Sequence, residues 1–173
     1  MTWKMILNKL DFARRVLIVC VMAAVMYILQ SSVFSHLAPG GVKPDLLLIL
    51  TVCTGCLSGE RAGLGTGFIC GLVWDIYASP VIGMQAFILA LTGYMSGKCK
   101  QFLYDEGIWM PVVLTAAGDL LCGVWNYVLF FVLQGRQALL VSMMNIVFPE
   151  MLYTSLICVP VYPLLRVLHR RFF

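Results

Sequence analysis

Three acids stand inside otherwise apolar stretches of the sequence: Asp75, Asp119 and Glu150. A carboxyl in such surroundings must be protonated, hydrogen-bonded or in contact with water. Asp75 falls three residues from the end of its apolar run, where water has easy access. Its carboxyl is expected to accept hydrogen bonds there. Asp119 lies deeper, with Asn126 two turns further along the same helical face. Glu150 follows Pro149, with Asn145 one turn earlier. Pro149, Pro160 and Pro163 each remove a backbone donor and free the carbonyls of Asn145, Leu156 and Val159, so this segment is expected to be a kinked or broken helix. A broken helix with an acid at mid-depth suits an ion or substrate path. The same groups also suit a polar cluster that locks helices together, and spacing leaves both open.

Other chemistry finds little footing. The sequence has no Ser-His-Asp constellation, no HExxH, no Walker-type glycine loop and no paired acids within one motif. His36 and His169 fall outside the apolar runs and are expected to be solvated. Cys53 and Cys56 have CxxC spacing, but no second pair or histidine cluster completes a zinc set. Six of the seven cysteines (Cys20, Cys53, Cys56, Cys70, Cys122 and Cys158) sit in apolar runs, where thiols serve as small packing groups, and only Cys99 lies among charges. No cofactor and no metal is expected.

The elements that must position these residues follow from composition. Of the 173 residues 61% are hydrophobic and 12% charged, about half the charged share of a soluble domain, which excludes a soluble globule. The net charge of +4 does not imply nucleic acid. Apolar runs between polar or Gly/Pro punctuation predict six transmembrane helices at about 16–34, 44–58, 62–78, 84–97, 108–133 and 140–165, forming one integral membrane domain over 1–173. The second and fourth are short, and spans two and three could form a re-entrant pair. The first run is longer than the core of a signal peptide and lacks a convincing small-residue cleavage site, so it is expected to stay as an anchor.

The basic residues orient these spans. With the N-terminus inside, the cytoplasmic side collects Lys4, Lys9, Arg14, Arg15, Arg61, Lys98, Lys100, Arg166, Arg170 and Arg171, leaving only Lys43 and Arg136 outside. Both termini are then cytoplasmic. Before the first span, Trp3, Ile6, Leu7 and Leu10 share one helical face, which predicts a short helix lying on the inner leaflet or an ordinary basic flank. Arg166, Arg170 and Arg171 are placed for anionic headgroups or for a cytoplasmic protein.

Glycines supply the remaining pattern. Gly55, Gly59, Gly63, Gly67 and Gly71 recur every four residues, the last three forming one stripe on the third span, and Gly93 and Gly97 repeat the spacing on the fourth. Small residues at i and i+4 let helix backbones approach closely, so the stripe is expected to pack within the bundle.

From Lys43 to Gly97 the chain resembles the MreD family of bacterial rod shape-determining membrane proteins. The resemblance is carried by the entry Pro44-Asp45-Leu46-Leu47-Leu48 and the third span with Gly67, Gly71 and Asp75. Ser79-Pro80, Gly83, Ala86, Tyr94 and Gly97 complete it. The last two spans match in hydropathy only. The resemblance implies an all-α polytopic bundle of the bacterial cytoplasmic membrane, related to the six-helix substrate-binding components of vitamin transporters. It implies a non-enzymatic scaffold of cell elongation, associated with MreC, with MreB filaments, and with RodA and the transpeptidase of lateral peptidoglycan synthesis. The alternative is a substrate-binding component of a vitamin-type transporter, although the predicted outer loops are short and lack an obvious aromatic and polar cluster to grip a ligand. Structural or interaction candidates are Pro44, Asp45, Gly63, Gly67, Gly71, Asp75, Pro80, Gly83, Gly97, Asp119 and Glu150.

Overall fold

The computed structural model describes residues 2–36, 43–78, 82–102, 109–134 and 147–172. Among them are six helices and no strand: α1 Thr2–His36, α2 Leu46–Ser58, α3 Glu60–Ala78, α4 Met84–Phe102, α5 Trp109–Gln134 and α6 Phe148–Phe172. Pro80, Asn145 and the start of the predicted sixth span lie outside the described residues.

α2 is the centre of the molecule. Every residue from Pro44 to Cys53 is buried, including Leu46, Leu47, Leu48, Ile49, Leu50 and Val52. One side of α2 meets Ala23 of α1 and Cys158, Tyr162 and Leu165 of α6; the other meets Ile88 and Leu89 of α4 and Cys122 of α5. An apolar helix with no polar face can be stable only if neighbours surround it, and that is what these 13 residues encode. Its threonines do not disturb this. Thr51 donates to Leu47 O at 2.8 Å, and Thr66 and Thr92 on α3 and α4 make the same i−4 bond at 2.8 and 2.9 Å.

α2, α3 and α4 form an antiparallel unit closed by glycine. Gly59, at φ 93°, ends α2 and donates to Gly55 O at 2.9 Å; α3 starts at the next residue. The chain reverses there in the left-handed region, where a side chain would be strained. The expected stripe then lies against α4: a methyl group at Gly63 would land on the Gly93 carbonyl, at Gly67 on the Leu89 carbonyl and at Gly71 on the Ala86 backbone. Gly97 meets the Glu60 backbone at the other end of the same contact. The stripe packs inside the bundle, backbone on backbone.

Three elements differ from expectation. α1 is one helix from Thr2, not a short helix followed by a separate span, because no Gly or Pro interrupts residues 2–36. α4 continues past Gly97 to Phe102, since the lysines that end the apolar run are themselves good helix formers. α6 is not broken: it runs continuously through Pro160 and Pro163, both on an exposed face, each removing only its own backbone hydrogen bond. Pro149 falls in the first turn, where a missing N–H costs nothing.

The α3/α4 contact gives a paired prediction. Gly67→Ala puts its methyl into the Leu89 backbone and is expected to cost about 1–3 kcal/mol. Gly65→Ala, two residues away with nothing within 4 Å of the new atom, is expected to be neutral or stabilising by up to about 1 kcal/mol. Thermal unfolding of the two variants in detergent, followed by intrinsic tryptophan fluorescence, checks the sign of each.

Candidate functional site

The polar residues of the interior fall into two groups, each built around the start of a helix. A helix leaves its first N–H groups without intrahelical partners, and a buried start must find acceptors from side chains. α2 starts among buried neighbours. Pro44 brings no N–H of its own. The Asp45 N–H donates to Thr154 Oγ1 of α6 at 3.3 Å, and the Leu46 N–H donates to Gln30 Oε1 of α1 at 3.1 Å. The Leu47 and Leu48 N–H groups both donate to Asp45 Oδ1 at 3.1 Å. Three helices therefore meet at this one end.

The hydroxyl of Thr154 continues the chain of bonds. It accepts from Asp45 and hydrogen-bonds the Asp119 carboxyl on α5. One turn away on the same antiparallel seam, Thr115 lies 3.4 Å from Cys158 Sγ and hydrogen-bonds the Pro111 carbonyl at 2.6 Å. In the other direction the added methyl of a Gly123 variant would meet Val147. The seam thus pairs Thr115 with Cys158 and Asp119 with Thr154, and the same register sets Glu150 opposite Gly123. Asp119 and Asp45 both act electrostatically on Glu150. Asp119 Oδ2 is buried without a hydrogen-bond partner among the described residues.

Asp75 belongs to the second group. Its Oδ2 accepts from the Gly83 N–H at 2.9 Å and the Ala86 N–H at 3.0 Å, and its Oδ1 from the Gln85 N–H at 3.2 Å. It caps α4 from the end of α3. Gly83, at φ 99°, is the residue that lets the chain turn into that cap. The sequence grouped Asp75 with Asp119 and Glu150; the structure instead joins those two to Asp45 and gives Asp75 wholly to α4. Thr154, Gln30 and Thr115 were not singled out from the sequence. For Thr154 and Thr115 the signal was the four-residue spacing of Glu150, Thr154 and Cys158 along α6 and of Thr115 and Asp119 along α5; Gln30 had none.

The arrangement binds helices to one another. All seven cysteines are free thiols; Cys53, Cys56, Cys70, Cys122 and Cys158 are packed in the core, and Cys158 touches Cys53. Among the described residues no three His, Cys, Asp or Glu side chains are placed to hold a metal ion. Two helical segments, Arg14–Ser32 and Phe148–Leu168, are long and apolar enough to cross a membrane, and α2 is a shorter apolar helix.

A family model described as rod shape-determining protein MreD matches residues 10–172. The chain belongs to the MreD family. The match takes in α5 and α6, where the resemblance had rested on hydropathy alone, and so covers the Asp119–Thr154 seam as well as the Pro44-Asp45 entry and the glycine stripe. No curated protein and no solved structure matches the chain. MreD proteins are structural membrane proteins of rod-shape determination, and the apolar helices here agree with that class.

The two caps differ in how many carboxyl oxygens they use. Asp45 takes both helix N–H groups on one oxygen, so Asp45→Asn is expected to be near neutral, whereas Asp45→Ala costs about 2 kcal/mol. Asp75 uses both oxygens, so Asp75→Asn keeps two of three bonds and costs about 1–2 kcal/mol, and Asp75→Ala costs more. Unfolding midpoints of the four variants in one detergent check the order.

Proposed function

We propose that this MreD-family chain is a single six-span membrane domain with both termini cytoplasmic. It acts as a non-enzymatic scaffold that holds MreC and links MreB filaments to lateral peptidoglycan synthesis by RodA and the transpeptidase. The observation that carries this reading is the family match over residues 10–172, which spans the whole set of interlocked helices. The charge distribution supports the topology: Arg61 and Lys98 fall at one end of the α2–α4 unit, and Lys43 falls at the other. The polar interior supports a holding role, since the Asp45 and Asp75 carboxyls are engaged by helix N–H groups and Thr154 ties α2, α5 and α6 together. In this reading Pro44, Asp45, Gly63, Gly67, Gly71, Asp75, Pro80, Gly83 and Gly97 preserve the shape that partners meet. Asp119 and Glu150 latch α5 to α6. The six-helix vitamin-binding components remain the related architecture for such a bundle.

Purification in mild detergent from a rod-shaped host is expected to bring down an MreC partner. A chain that travels alone, or with an ATP-binding cassette pair and a bound vitamin detected by mass spectrometry, would overturn the scaffold reading. Asp119→Asn keeps an acceptor for Thr154 and is expected to retain both the partner and rod shape, while Asp119→Ala removes the acceptor and lowers recovery of the complex. Loss of shape with Asp119→Asn while the complex stays intact would instead favour a proton or cation path.

A further inference from the structure

The glycine contact that draws α3 and α4 together also shapes their outer face. With the backbones close, the outward side chains of the two helices diverge and leave an open apolar groove of about 320 Å³, lined by Leu64, Phe87, Ala90, Leu91 and Tyr94. Polar atoms are nearly absent from it. At one end the helical register brings up cations: Arg61 lies one turn from Leu64 on α3, and Lys98 one turn from Tyr94 on α4. The two share a level because Gly97 packs on the Glu60 backbone. Lys98 Nζ stands 5.3 Å from the centroid of the Tyr94 ring, which holds the ammonium over the end of the groove. Arg61 and Lys98 are both exposed, while Glu60 beside them is half-buried.

Length identifies the occupant. From Phe87 to Lys98 is eleven residues, or roughly 16 Å along a helix. A hydrocarbon core of about 30 Å gives each leaflet roughly 15 Å. The groove and its cations therefore match one lipid leaflet, whereas a partner transmembrane helix would need a face of twice that length. We propose that this groove is a binding site for an anionic phospholipid, one acyl chain lying along Leu64, Phe87, Leu91 and Tyr94 and the phosphate held between Arg61 and Lys98. The topology proposed above makes this the cytoplasmic leaflet, and that assignment alone rests on it.

Native mass spectrometry of the full chain, released from bilayers of mixed phosphatidylglycerol and phosphatidylethanolamine, tests the site. The expected result is one retained lipid enriched in phosphatidylglycerol. Arg61→Gln and Lys98→Gln should each lower that retention about five-fold, while Lys43→Gln at the opposite end should not change it. Leu91→Trp, which fills the groove and leaves both cations in place, should lower retention of either lipid; circular dichroism and size-exclusion profiles confirm that the variants are folded. Equal retention of the two lipids, retention unchanged in the Arg61/Lys98 double variant, or a polypeptide released by Leu91→Trp in place of lipid would each overturn the proposal. Because lipid is measured on the chain alone, this outcome is independent of whether MreC is captured.

Discussion

A helix that begins inside an apolar bundle has no water for its first N–H groups, and each one left without an acceptor costs several kcal/mol in hydrocarbon. α2 begins under that constraint. Its acceptors come from Gln30 on α1, Thr154 on α6 and the side chain of Asp45 itself, so α2 has its full set of bonds only when both outer helices are in place. The requirement passes outward from there. Thr154 can serve Asp45 because its own hydroxyl proton goes to Asp119, which sets the rotation of α5 against α6. The central helix is thus tied to three others through few polar atoms.

Within the α2–α4 unit the physics is different. With no side chains between the helices, the contact depends on dispersion between closely approaching backbones. Gly63, Gly67 and Gly71 on α3, with Gly93 and Ala86 on α4, remove the side chains that would keep those backbones apart. The Asp75 cap then fixes the register, since its three bonds to Gly83, Gln85 and Ala86 form only when α4 starts beside the end of α3. Small residues set the distance between the helices, and a carboxylate sets their offset.

The glycine periodicity, the Pro44-Asp45 entry and the hydrogen-bonded carboxyl of Asp75 were all legible in the sequence, because each is a local departure from an apolar background. Helix placement was legible for the same reason, to within a few residues at most ends. The partnership of the acids was not. Asp75, Asp119 and Glu150 looked alike as charges in apolar runs, whereas which of them meet depends on helix rotation, and Asp45 looked like a helix entry with no link to Asp119. Thr154 and Gln30 carry no charge and stand among many polar residues of similar type. α6 shows the limit of the proline signal: each proline removes one backbone hydrogen bond, and the bonds of the other residues keep the helix continuous through Pro160 and Pro163.

Helix direction explains how these devices combine. α2 starts, α3 ends and α4 starts at one end of the unit, so the Asp45 and Asp75 networks both belong to that end. The opposite end has the single-glycine turn at Gly59 and the exposed Arg61 and Lys98. One end is tied by side-chain-to-backbone bonds from Gln30, Asp45, Asp75 and Thr154; the other is joined by close glycine packing and presents positive charge. The tied end keeps the relative angles of the helices, while the other end leaves its cations exposed. Acid and base are therefore divided between the two ends: Asp45 and Asp75 are buried and engage helix N–H groups at one, whereas Arg61 and Lys98 stand exposed at the other.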